Sequence, residues 1–469
     1  MTRFEQVQQI LDQAVGGPTA SVGAHMAFWR GITRNQFVVK KVFGRQLIVI
    51  GNGKGSNLVK ALKGESPFGA DIGVPGAVLN RMPSGLAPVS AASIAIIEKW
   101  IDDGCPDEDI QPAMPLVGAA AATLERTPIA RRYPFAMPQH PRIATLAGLM
   151  REEKRNLAWI QNALQVAIQL ELATLPPYLT AYWTIKSDPA GTASGAFFEI
   201  FIEEMSHMGL GCNLLVAVGG TPLIADPKIV PKYPGQLPGG VRPHLTVGLR
   251  KLDKPQLADF MEIEYPATGP VLLSATASKT IGEFYAGILA AFQTNNPTLS
   301  LDRQLENSVA NIFKLDTLAK VEQAIALIVR QGEGTSTSPE EGPGDLAHFY
   351  RFGELYTGKR FVPDASGKWG YFGDSITLPE VHDMADIPAG GYQQADVPGL
   401  ATWELITRFD KQYSDLLREL QNAWTHGDDG LLEGAIAMMG PLQRTGKNLV
   451  VKPKPDGRGN YGPCFRFVP

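Results

Sequence analysis

The sequence predicts a mostly α-helical protein, in which a small helical unit precedes a bundle of long helices. Three observations carry that expectation. Apolar residues recur at helical spacing through much of residues 144–450. Glycine and proline gather mainly between those stretches, where they act as punctuation. Strand-like patterns are confined to short pieces such as QLIVI at 46–50.

The chain has 469 residues, a length that at roughly 150 per domain suggests about three domains. Its 44% hydrophobic and 19% charged content is that of a globular protein able to build a core. A formal net charge of −4 gives no overall attraction for nucleic acid or an anionic membrane. Cys105, Cys212 and Cys464 lie far apart with no C-x-x-C, which excludes a disulfide scaffold, a cysteine zinc site and covalently attached haem. Reduced thiols in the cytoplasm are expected. The opening MTRFEQVQQILDQAV reads as an amphipathic helix and not as a signal peptide, and no run reaches 18 apolar residues. No membrane partner is therefore expected.

The elements follow in order. Residues 1–125 form one small unit, with a first helix ending at Gly16-Gly17, the 46–50 strand and a helix at 90–104. Between them, Gly51-Asn-Gly-Lys-Gly-Ser lacks P-loop spacing and reads as a turn. A proline- and arginine-bearing linker spans 126–143, and a bundle spans 144–450. The bundle opens with two long helices, at 144–219, separated by KSDPAGTAS. An insertion rich in proline and glycine with strand-like pieces covers 220–275. Helical patterns resume at 279–293, 303–332, 344–357, 398–426 and 429–447, and 451–469 is an irregular tail.

Chemistry enters where charge interrupts apolar stripes. Leu157, Ile160, Leu164, Ile168, Glu171 and Leu175 share one helix face, so Glu171 sits within an apolar stripe. A buried, unpaired carboxylate costs several kcal/mol, so the position implies a cation partner or a raised pKa. On the next helix Phe197, Phe201, Glu204, His207, Met208, Gly211 and Leu215 share a face. Glu204 and His207, three apart, present an oxygen and an imidazole to one point. Further candidates are Glu283, heading a face of Ala286, Gly287 and Ala290; Glu333, in RQGEG; and Asp345 with His348, an Asp-x-x-His placed on one helical stripe. Glu322 is a spare. The chain holds seven histidines, and His207 and His348 are the two that follow an acid by three residues on an apolar stripe. Carboxylates and Glu-x-x-His pairs from four helices are how bundles hold one or two ions, and imidazole with hard carboxylates suits iron or manganese.

The stretches ALQVAIQLELATLPPYLTAYWTI, FIEEMSHMGLGCNLLVAVGGTP, EIEYP, TIGEFYAGI, IVRQGEGTSTSP and DLAHFYRFGEL resemble the ferritin-like domain of iminophenyl-pyruvate dimer synthases of violacein-type biosynthesis and their stand-alone relatives. The resemblance covers about residues 144–450 and implies a ferritin-like bundle with Glu171, Glu204, His207 and His348 as metal ligands, joined by Glu283 and Glu333. That family's last helix usually reads ELAHYYRF, and Asp345 stands here in place of its glutamate. LVKALKGESPFG and RMPSGLAPVSAASIAIIEKWIDDGCP in turn resemble the second half of a cytochrome c domain, with Met82 and Trp100 at the positions that cap the haem and pack behind it. The haem attachment motif is missing, so a haem-less unit is expected, with His25 as the one candidate opposite axial ligand.

Together these readings describe a non-haem iron or manganese oxidoreductase, holding one or two ions and using O₂ or a peroxide on a small organic, amino-acid-derived substrate in a biosynthetic pathway. Tyr178, Tyr182 and Trp183 would shape its pocket or relay electrons. No nicotinamide or flavin motif is present, so electrons would come from an external donor or the substrate. A homo-oligomer is compatible with the sequence. The alternatives are iron binding or storage, and a metal-free accessory role, both without turnover.

Overall fold

The computed structural model describes residues 2–18, 28–30, 32–42, 45–75, 77, 79–84, 86–107, 149, 154–189, 191–266, 280–307, 310–334, 339–342 and 345–469. The expected linker 126–143, His25 and His140 lie outside the described residues. The described residues hold twelve α-helices and only two-stranded sheets, so the protein is mostly α-helical. The chain divides into two compact units, 1–141 with 189–195, and 142–188 with 196–469.

The first unit contains α1 (Arg3–Ala14), α2 (Arg34–Val39), a hairpin of β1 (Lys41–Val42) and β2 (Arg45–Gln46), α3 (Asn57–Lys63) and α4 (Ala91–Asp102). Thr2 with Glu5, and Thr33 with Gln36, form capping boxes that satisfy the first N–H groups of α1 and α2. One face of each longer helix is apolar, and Phe4, Val7, Phe37, Leu58, Ile97 and Trp100 meet in a shared core. Only Gln46 of the strand expected at 46–50 is in a strand; Leu47 and Ile48 are instead buried in that core. Gly51 has a φ of 78°, as a turn there requires.

The second unit is built on α5 (Leu157–Trp183), which is buried along almost its whole length. Pro176 and Pro177 lie inside it; proline normally interrupts a helix, and here the surrounding packing holds the helix through. After β3 (Ile185–Ser187) comes α6 (Thr192–Ala217). The region expected as an insertion of strand-like pieces contains α7 (Lys254–Ile263), capped by Asp253, whose carboxylate accepts from the Gln256 N–H. Then follow α8 (Ile281–Asn295), α9 (Leu318–Glu333), the hairpin β4 (Glu340–Gly342) and β5 (Asp345–Leu346), and α10 (His348–Thr357). Helix was expected from 303 and from 344, but Thr317 caps α9 and Ala347 precedes the first turn of α10.

Short strands β6 (Val362–Pro363), β7 (Trp369–Gly370) and β8 (Glu380–Val381) lead to the hairpin of α11 (Leu400–His426) and α12 (Asp429–Val450). β8 pairs antiparallel with β3. The tail is irregular, as expected, but it is docked. Phe465 stacks on Trp183 at 5.7 Å, and Arg466 pairs with the buried Asp410 at 2.7 Å. Within this unit α5 packs against α7, α8 and α12, while α10 packs against α7 and α9. This arrangement brings the acidic and imidazole side chains of α5, α6, α7 and α10 to one buried place.

Candidate metal centre

Glu171, Glu204 and His207 present ligand atoms within 4.8 Å of one another, and so do Glu204, Glu264 and His348. Glu204 belongs to both sets. All five side chains are buried, with Glu204 2% and His348 0% exposed. Each acid is held by a neutral donor. Tyr285 on α8 donates to Glu171 Oε1 at 2.6 Å, Thr174 to Glu204 Oε2 at 2.7 Å and Tyr178 to Glu264 Oε1 at 2.5 Å. The remaining oxygens of Glu171 and Glu204 face the rings.

Both imidazoles turn the same nitrogen inward. His207 Nε2 bonds Gln331 Oε1 at 2.8 Å, and His348 Nε2 donates to Glu203 Oε2 at 2.9 Å. Such a contact fixes the tautomer and leaves Nδ1 as the lone-pair nitrogen. His207 Nδ1 then lies 3.7 Å from Glu171 Oε2 and 3.8 Å from Glu204 Oε1. His348 Nδ1 lies 2.9 Å from Glu204 Oε1 and 3.7 Å from Glu264 Oε1. With the lone pair on Nδ1 both atoms of the first contact are acceptors, and buried Nδ1 makes no hydrogen bond. A buried polar atom without a partner is uncommon and calls for a ligand. A cation in the Glu204–Glu264–His348 set would supply one, so the donor set fits a metal ion.

The electrostatics agree. Even with both rings protonated, two imidazoles face three carboxylates. Burial pushes the Glu204 carboxyl up, and the charges of Glu264 and Glu171 push it further, to about 7 against the counter-pull of His348. Burial alone would lower His207, but hydrogen bonding to Glu171 and the charges of Glu204 and Glu171 raise it to about 9. His348 is likewise held well above its usual range, by Glu203, Glu204 and Glu264, against burial. Glu203 itself, in spite of burial, is pulled down to about 2 by Arg351 and His348. Arg351 Nη1 sits 3.2 Å from its Oε2, so Glu203 is a charged anchor behind the His348 ring. The cluster gathers protons that a divalent cation would replace.

Beside the cluster lies a cavity of about 20 Å³ lined by Glu171, Glu204, His207 and Glu264, with Ile281, Ile328, Val329 and Glu333 on its other walls. Glu333, a sequence candidate, is in neither ligand set. Its Oε1 accepts from the Gly282 N–H at 2.7 Å, where an anion favours the positive end of α8. A Cβ at Gly282 would stand 2.5 Å from Glu333 Oε2, so a larger residue there would displace the carboxylate.

Two other sequence candidates fall elsewhere. Glu283 is exposed and forms a capping box with Thr280 at the start of α8. Asp345 lies in β5, paired with Gly342, so the expected Asp-x-x-His stripe does not form; His348 is the first helical residue. The spare, Glu322, instead accepts from Gln293 at 2.9 Å. Tyr178 lies at the cluster, whereas Tyr182 packs on Phe201 and under Lys447, and Trp183 on Phe409 and Phe465. Sequence reasoning missed Glu264, Glu203 and Gln331. For Glu264 a signal existed: Leu257, Phe260, Met261 and Glu264 follow the i, i+3, i+4, i+7 pattern behind the Asp253 cap.

Residues 164–357, which include Glu171, Glu204, His207, Glu264 and His348, match the family model described as Ferritin-like. No curated protein matches the chain. A solved structure of a ferritin-like protein from Caulobacter vibrioides is 19% identical over 61% of this chain and 93% of its own, with a TM-score of 0.43. That likeness is too distant to bear on the site. From its helical architecture and this family match, the second unit contains a ferritin-like domain.

Proposed function

We propose that the protein is a non-haem metal oxidoreductase, in which Glu171, Glu204, His207, Glu264 and His348 would hold two iron or manganese ions, and that it acts on a small organic substrate with O₂ or a peroxide. The observation that carries the proposal is the pair of ligand sets meeting at one carboxylate, each completed by an inward Nδ1. Hard carboxylates with imidazole suit iron and manganese. When bound, such ions supply reversible electron transfer to oxygen. The chain's own residues do the rest. Glu171 with His207, and Glu264 with His348, would hold the two positions apart, while Tyr285, Tyr178 and Thr174 orient the carboxylates. Gln331 and Glu203 fix the rings.

The cavity next to Glu171 and His207 is of a size to give O₂ an approach, past Ile281, Ile328 and Val329 beside Glu333. Electrons would come from an external donor or from the substrate itself. Metal analysis of the purified protein with oxygen-uptake measurements on amines, amino acids and phenols tests this reading. It predicts two ions per chain and substrate-dependent uptake that disappears in the Glu204→Ala/His207→Ala double variant. Metal content of one ion per chain or less, or metal without oxygen uptake on any of these substrates, would refute it.

A further inference from the structure

We propose that the first unit is a binding module for an uncharged apolar small molecule, seated in a cavity between α1, α3 and the Met82–Pro83 segment. A cavity of about 60 Å³, open on one side to solvent, lies there. Its walls include Leu11, Trp29, Leu58, Leu62, Phe68 and Met82, and they present no polar atom to the void. Asn57 lines it too, but its amide is turned to the Gln46 carbonyl at 2.8 Å. Histidine, cysteine and charged side chains are absent from the described lining.

Protein interiors are close-packed, and voids much larger than a water molecule forfeit dispersion contacts along their whole lining. Apolar cavities stay dry and take up hydrocarbons and aromatic rings. This one has firm walls. Trp29 is pinned by its Nε1–H bond to Asp12 at 2.8 Å, and Asp12 also pairs with Arg30 at 2.6 Å. Leu11, Leu58 and Leu62 are buried on helices whose ends are fixed by the Thr2–Glu5 capping box and the left-handed Gly64. The space exceeds that of a single water and is open on one side, so a flat ring can enter it in part, and a described wall without an exposed donor, acceptor or charge selects a molecule without them. The ligand class is therefore a neutral aromatic or hydrocarbon compound, held by shape and apolar burial.

Titration of the full-length protein with the uncharged fluorophore N-phenyl-1-naphthylamine tests the proposal. Saturable binding of one equivalent per chain is expected. Ala61→Phe, which fills the cavity from α3, should weaken it by about tenfold or more, while Met82→Leu should retain it. Thermal melting and near-ultraviolet circular dichroism report whether Ala61→Phe is folded, and Val15→Phe, from the opposite wall, replaces it if it is not. Absence of saturable binding overturns the proposal, as does unchanged affinity in the folded, filled variants. So does uptake of added hemin with a Soret band that Met82→Leu abolishes, because the cavity would then be built for a charged metalloporphyrin.

Discussion

Replacing Glu204 by glutamine separates a ligand from a structural residue, because the two roles predict opposite changes in stability. The substitution keeps shape, and the amide oxygen can still accept from Thr174, whose hydroxyl lies 2.7 Å from Oε2. What it removes is a negative charge buried beside Glu171 and Glu264. In the metal-free protein that charge is a burden, since the carboxyl is raised from 4.5 to about 7 by burial and its acidic neighbours. At about 1.36 kcal/mol per pH unit, ionising it in the folded state costs about 3 kcal/mol. A carboxyl raised on folding favours the native state less as pH climbs. The penalty is absent below the unfolded value of 4.5, grows up to about 7 and is complete above it.

Metal-free Glu204→Gln should therefore be more stable than metal-free wild type by about 3 kcal/mol at pH 8 and nearly equal to it at pH 4. Urea denaturation with a chelator at both pH values measures this. Metal analysis without chelator should show the same variant losing most of its metal. A variant less stable than wild type at pH 8, or one that keeps its full metal content, would refute the reasoning.

Other outcomes follow from the same contacts. Glu203→Gln and Gln331→Leu, which change the partners of the two Nε2 atoms, should weaken metal binding by about 10- to 100-fold without removing a ligand, as read by competition with a chromophoric chelator. Glu283→Ala should leave metal content unchanged and reduce stability by about 0.3–1.5 kcal/mol, the usual worth of one half of a capping box, on a denaturation curve. Burial raises Cys464 to about 12, and Cys105 to about 11. Both thiols thus stay protonated in the folded chain above their unfolded value of 9.0, so stability should fall as pH rises from 9 toward 11. Cys464→Ala should flatten that alkaline decline.

Much of the bundle was legible in the sequence because α5 and α6 are long, mostly apolar runs at helical length, and Glu171, Glu204 and His207 stand in them where only a partner makes charge tolerable. Glu264 went unread for a local reason. Its helix is only ten residues long and sits among prolines and glycines, so the surrounding punctuation obscured a short, properly capped pattern. Glu283 shows the converse. It heads a face of small residues, but Thr280-x-x-Glu283 is also a capping box, and the Thr280 N–H takes the carboxylate. Asp345 depended on where the helix begins. With the first turn at His348, three residues of separation span a strand end and a cap, and the shared face vanishes. Glu203 and Gln331 act through space on rings from other helices, which no single-helix periodicity reveals.

The central claim is that Glu204 joins two cation positions. Crystals of metal-loaded protein, measured for anomalous scattering across the iron and manganese edges, test it most directly. Two peaks are predicted, one between Glu171, Glu204 and His207 Nδ1 and the other between Glu204, Glu264 and His348 Nδ1. A fully loaded crystal with no anomalous peak on Glu204, or with its metal bound through Glu283 or Asp345, would contradict the account.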